Sequence, residues 1–230
     1  MSPAIVLPTA GVSLEGDLQL PAQPHPHGLV VFVHGSGSSR FSDRNRFVAA
    51  ALRRRGLATL LFDLLTASEE QRDRIDASLR FDIPLLAERL IGVIDALAEP
   101  AAALEPWPQS WPDALPIGLP IGLFGASTGA AAALIGAAER PDRLGAVVSR
   151  GGRPDLAMAA LPLVRCPTLL LVGSHDPEVL ALNRRAAARL AAPHRLEVVA
   201  GASHLFEEPG CLERVAERAG DWFSEHLLPA

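Results

Sequence analysis

The chain has 230 residues, 49% of them hydrophobic and 20% charged, with a net charge of -5 from 21 basic and 26 acidic side chains. That length and balance fit one globular domain over residues 1–230 with a full core, rather than a disordered or fibrous chain. The charges are scattered without a basic stripe, which argues against nucleic acid as a partner, and the absence of lysine excludes Schiff-base chemistry, a Ser-Lys dyad and a P-loop.

The first sixteen residues, MSPAIVLPTAGVSLEG, carry no charged segment followed by a long apolar one, and no run approaches the roughly 20 apolar residues of a membrane span. The expectation is a cytoplasmic protein with no membrane partner. Residues 4–7 and 12–20 flank Pro-Thr-Ala-Gly, and VSLEGDLQL alternates apolar with polar side chains, which predicts an antiparallel hairpin at a sheet edge. Runs 28–33, 57–62 and 119–124 are short and apolar, and each ends in a polar loop followed by helical periodicity. Runs 144–148 and 167–172 repeat that βα pattern, and 195–199 supplies a further strand. Strands apolar at every position are covered on both faces, so the class is α/β with a mainly parallel sheet. Helical periodicity over 43–55, 83–98, 128–139, 177–190 and 209–227 predicts five helices flanking it. Residues 99–116, EPAAALEPWPQSWPDALP, hold five prolines and read as a surface excursion. Its Trp107 and Trp111 are expected to pack on their own domain, with a homodimer contact as the alternative. Cys166 and Cys211 form neither a metal-like cluster nor a disulfide framework and read as small buried hydrophobes.

Between two glycines in GLFGASTGAA, where a strand gives way to an alanine-rich helix, stands Ser127. Gly125-Ala126-Ser127-Thr128-Gly129 matches G-x-S-x-G, in which small neighbours allow a strained turn that exposes a nucleophilic hydroxyl. The competing reading is a helix N-cap whose oxygen accepts backbone N–H bonds. A serine nucleophile requires a base, an orienting acid and oxyanion donors. His204, in VVAGASHLF after the last strand, fits the base, and Asp176, in LLLVGSHDPEVL, fits the acid, although it also suits an N-cap ahead of Pro177. His175 is at best accessory, and His194 and His226 read as surface residues. The oxyanion donors are the backbone N–H groups of Thr128 and, from the loop VVFVHGSGSS, of Ser36, with His34 as a loop-stabilising residue.

Taken in order, VVFVHGSGSS, LATLLFDLLT, LPIGLFGASTGAAAAL, AVVSRGGRPDLA, PTLLLVGSHDPEVL and VVAGASHLFEEPG resemble the α/β-hydrolase superfamily, and within it the small, lidless dienelactone hydrolase type. The resemblance spans nearly the whole chain. It implies a Ser127, Asp176, His204 triad and no metal or organic cofactor. Dienelactone hydrolases proper use a cysteine nucleophile, so Ser127 favours a general serine esterase over a lactonase. Lids in this fold usually follow the strand at 146–149, and SRGGRPDLAMAALPLVRC leaves room for one short helix and no cap, hence an open site for short, soluble acyl esters. Arg150 and Arg153 are candidate contacts to an anionic substrate. The expected activity is hydrolysis of small carboxylic esters. A thioesterase or acyltransferase with the same triad and a non-catalytic binding protein are the alternatives.

Overall fold

Eight strands form one sheet in the computed structural model, which describes residues 5–9, 11–23, 25–98 and 118–227. They are β1 (Ile5–Thr9), β2 (Val12–Gln19), β3 (Leu29–Val33), β4 (Ala58–Phe62), β5 (Ile121–Ala126), β6 (Leu144–Arg150), β7 (Thr168–Gly173) and β8 (His194–Val199). Their spatial order is β1-β2-β4-β3-β5-β6-β7-β8. Strands β1, β2 and β4 pair antiparallel, and every pairing from β4 to β8 is parallel. The predicted hairpin and parallel sheet are thus both present, with the hairpin at one edge.

Helices α1 (Asp43–Arg54), α3 (Ile83–Ala98), α4 (Thr128–Glu139), α5 (Pro177–Ala187) and α6 (Cys211–His226) correspond to the five predicted. Period-two alternation along the strands splits the core into two layers. Val31, Leu60 and Leu123 pack with Leu90, Ile94 and Leu134 on the α3–α4 side. Phe32, Phe124 and Val148 pack with Val48, Leu52, Val215 and Phe223 on the α1–α6 side. This explains why β3, β4, β5 and β7 are buried at every residue and carry no polar face.

Two elements differ from expectation. A sixth helix, α2 (Ala67–Asp76), follows β4. It is held at its start by a capping box in which Thr66 and Glu69 satisfy one another's backbone N–H groups. Between β6 and β7 the chain forms two 3₁₀ turns, Pro154–Ala157 and Leu161–Leu163, in place of one short helix. The 99–116 excursion with Trp107 and Trp111 lies outside the described residues. Strands β3, β5, β6, β7 and β8 run parallel, so the loops after their C-terminal ends gather at one edge of the sheet.

Candidate active site

At that edge β5 passes into α4 through Ser127, whose backbone sits at φ 50° and ψ -122°. This region favours glycine, and a serine stays there only because its surroundings over-determine the turn. Ser127 N donates to Arg150 O at 3.2 Å, and Ser127 O accepts from Ala130 N at 3.1 Å and Arg153 N at 3.0 Å. The flanking glycines are needed for close approach. A Cβ on Gly125 would lie 2.5 Å from Ala130 Cα, and one on Gly129 would run into the carbonyl oxygens of Val33 and His34. The Ser127 side chain makes no capping hydrogen bond, so the N-cap reading of this residue does not describe it.

The second and third members come from adjacent parallel strands. The loop after β7 is laced to the loop after β8: Ser174 N donates to Val199 O at 3.0 Å, His175 N to Ala202 O at 2.9 Å, and Gly201 N to Ser174 Oγ at 2.8 Å. That lacing brings Asp176 Oδ2 to 2.6 Å from His204 Nδ1. The pair is graded in exposure, with the Asp176 side chain 14% and the His204 side chain 39% accessible. The carboxylate therefore sits behind the imidazole, where it can accept Nδ1–H and leave Nε2 free to take a proton. Asp176 makes no side-chain capping bond to α5, although it occupies the cap position ahead of Pro177.

A Cβ on Gly151 would lie 3.6 Å from His204 Cε1, which sets the ring beside the turn that also holds the Ser127 backbone. Among the described residues neither Ser127 Oγ nor His204 Nε2 has a protein hydrogen-bond partner. In unliganded enzymes such bonds commonly tighten only when substrate binds. The His204 loop is itself fixed by Glu208, whose carboxylate accepts Ser203 N–H at 3.0 Å and is held below the usual carboxylate range by its hydrogen bonds to Ser203.

The loop after β3 departs from the expected oxyanion arrangement in one respect. Ser36 N–H, read from sequence as a donor to substrate, donates to Thr128 Oγ1 at 2.8 Å. Thr128 is 4% exposed, and its buried hydroxyl takes the nearest amide as partner. His34 anchors the base of this loop. Its Nδ1 lies 3.0 Å from Gly35 O, and its Nε2 accepts Leu64 N–H at 3.1 Å, which fixes the neutral tautomer with the proton on Nδ1. Burial pushes the imidazole pKa down, only partly offset by the Gly35 carbonyl and the charges of Asp63 and Glu70. A cavity of about 290 Å³ opens beside the loop between Ser36 and the α2 residues Glu70 and Asp73. Sequence reasoning missed this cavity's far wall because it missed α2.

The two candidate arginines separate. Arg153 forms a two-point pair with Asp155, Nε and Nη2 each donating at 2.8 Å, and is structural. Arg150 is 8% exposed and faces the α1–α6 layer. Its one side-chain hydrogen bond among the described residues is a long one, from Nη2 to Asn45 Oδ1 at 3.4 Å. The described residues include no cluster of three or more His, Cys, Asp or Glu side chains suited to a metal ion, and no helix long and apolar enough to cross a membrane.

No protein-family model matches the chain. A dienelactone hydrolase of Anabaena variabilis is 49% identical and superimposes with a TM-score of 0.88, covering 99% of this chain and 100% of its own. Est1E of Butyrivibrio proteoclasticus shares the fold at a TM-score of 0.74 with 16% identity, over 97% of this chain and 98% of its own. Proteins from two Mycobacterium tuberculosis strains, each named "Putative phosphoribosyl transferase", are 53% identical over 217 residues. That match covers 94% of this chain and 44% of theirs, so the chain spans less than half the length of these curated relatives.

Proposed function

The chain belongs to the dienelactone hydrolase family of α/β-hydrolases, and from that premise we propose that it is a serine hydrolase cleaving small, short-acyl carboxylic esters through an acyl-enzyme on Ser127. Ser127 Oγ adds to the acyl carbon as His204 Nε2 takes its proton, and Asp176 accepts Nδ1–H and stabilises the imidazolium. The tetrahedral oxyanion is met by Thr128 N–H and by a donor from the loop at 34–38, where Ser36 N–H serves once it exchanges Thr128 Oγ1 for substrate. His204 then returns the proton to the leaving alkoxide. Water repeats the sequence on the acyl-enzyme and releases the acid.

The observation that carries this reading is the uncapped Ser127 at φ 50°. A capping serine has no reason to occupy a glycine-favouring conformation, whereas a presented nucleophile does. A fluorophosphonate probe tests it: labelling of the folded protein that vanishes in Ser127→Ala supports the enzyme, and a folded wild type that takes no label overturns it. A panel of esters, thioesters and alternative acyl acceptors then separates hydrolysis of esters from thioesterase or acyltransferase activity.

The name of the mycobacterial relatives offers phosphoribosyl transfer as a second reading. The Ser127, His204 and Asp176 grouping favours acyl chemistry for this chain, since glycosyl transfer has no use for a serine presented on an elbow. Release of pyrophosphate from phosphoribosyl diphosphate and a nucleobase, undiminished in Ser127→Ala, would favour the second reading.

A further inference from the structure

Among the described residues near the site, Arg150 has two buried side-chain nitrogens without a hydrogen-bond partner. It ends β6, its carbonyl holds the Ser127 N–H, and its side chain runs beneath the first turn of α1 and the ring of Phe206, 6.0 Å from its centroid. The guanidinium is buried, yet Nε and Nη1 have no hydrogen-bond partner among the described residues, and no carboxylate lies in salt-bridge range. The charge that acts on it is a second cation. Arg44, in the first turn of α1, pairs with Glu207 through Nη1 at 2.8 Å, while its own buried Nε is also without an acceptor. Burial, followed by repulsion from Arg44, pulls the Arg150 pKa down to about 10, which still leaves it charged at neutral pH.

Burying a cation without a counter-charge is strongly unfavourable, and an interior retains such a group where an anion completes it. We propose that Arg150, with Arg44 and Asn45, forms a binding site for a small oxyanionic group, a carboxylate or phosphate, next to the elbow. The Arg44–Glu207 pair spans from α1 to the loop carrying His204. Glu207 is the side chain an arriving anion would displace from Arg44, since its own side chain is 61% exposed and free to swing out. The anion has two sources: a free ion, or an anionic group on the ester substrate itself. The second source rests on the esterase reading, whereas binding of a free anion does not.

The test has an arm independent of activity. Thermal unfolding of the wild type is followed with inorganic phosphate or succinate against chloride at matched ionic strength, beside Arg150→Met and Arg44→Gln. Methionine fills the space without a charge, so Arg150→Met is expected to fold and to unfold at the same or a higher temperature than wild type. A rise in wild-type Tm with the oxyanion that is absent in both variants supports the site. The second arm compares kcat/KM for an aryl hemisuccinate with an aryl valerate. A preference for the hemisuccinate that falls tenfold or more in Arg150→Met, and is kept in Arg153→Gln, assigns the anion to the substrate. A Tm rise without that preference assigns a free ion. If phosphate and succinate leave the wild-type Tm and both esters' rates unmoved, the proposal is overturned, whatever the esterase activity proves to be.

Discussion

At the scale of single residues, the proposed mechanism has Ser127, Asp176 and His204, on separate loops, act as one unit. Ser127→Ala is expected to lower ester turnover at least ~1,000-fold with the fold intact, measured as kcat/KM on a short-chain aryl ester beside a circular dichroism spectrum. Thr128 offers a subtler probe, because its hydroxyl holds Ser36 N–H. Thr128→Val removes the acceptor and releases the loop, so kcat should drop several-fold with KM little changed, and Thr128→Ser should restore it. His34 makes the same loop sensitive to acid. Its folded pKa lies below the unfolded value of about 6.5, so its contribution is complete above that pH and is lost as pH falls through the folded pKa. The urea midpoint of wild type should fall more steeply than that of His34→Gln from pH 7 downwards. The Asp176–His204 hydrogen bond and the Ser127 turn were legible in sequence because the G-x-S-x-G motif fixes a chain order in which an acid and then a histidine follow successive strands. The Thr128–Ser36 contact was not legible, since it joins positions 92 residues apart through a hydroxyl, whereas the sequence motif assigns a role only to the Thr128 backbone amide.

At the scale of elements, the strands were readable and α2 was not, for one physical reason. Strands such as LVVFV and ATLLF are buried at every position and almost wholly apolar because helices cover both faces, and that leaves a plain trace in the sequence. In contrast, ASEEQRDRID buries only Asp73 and has no apolar stripe to betray a helix. Its signal lies in its ends. Thr66 and Glu69 form the capping box, and the Asp73 carboxylate accepts N–H bonds from Leu79 and Arg80 where the helix gives way to a loop. Without an apolar face the helix depends on these contacts, so Thr66→Ala should cost about 1 kcal/mol, read by urea titration. Amide exchange in residues 67–76 should accelerate more than in α4, which is buried nearly throughout. The division between Arg150 and Arg153 was equally hidden. Both flank Gly151-Gly152, and their side chains part only in three dimensions, Arg153 to Asp155 at the start of the first 3₁₀ turn and Arg150, the last residue of β6, to Asn45 of α1.

At the scale of the molecule, the two core layers hold the cysteines out of solvent, Cys166 in one at 5% exposure and Cys211 in the other at 6%. Burial pushes the Cys166 thiol up to about 11, so neither a thiolate nor a path to it exists in the native state. Iodoacetamide at pH 8 should leave Cys166 unmodified until the protein unfolds, and modification should then follow the global transition. Stability of the whole also bears on the elbow. A serine held at φ 50° stores energy that glycine would not. Ser127→Gly should therefore unfold later than wild type, by about 1 kcal/mol or more, while Ser127→Ala, bound by the same backbone restriction as serine, should not share the gain. Two inactive variants differing by one methyl group would then part company in a melting curve, and the gap between them would measure what the chain gives up in robustness to keep a hydroxyl at the tip of that turn.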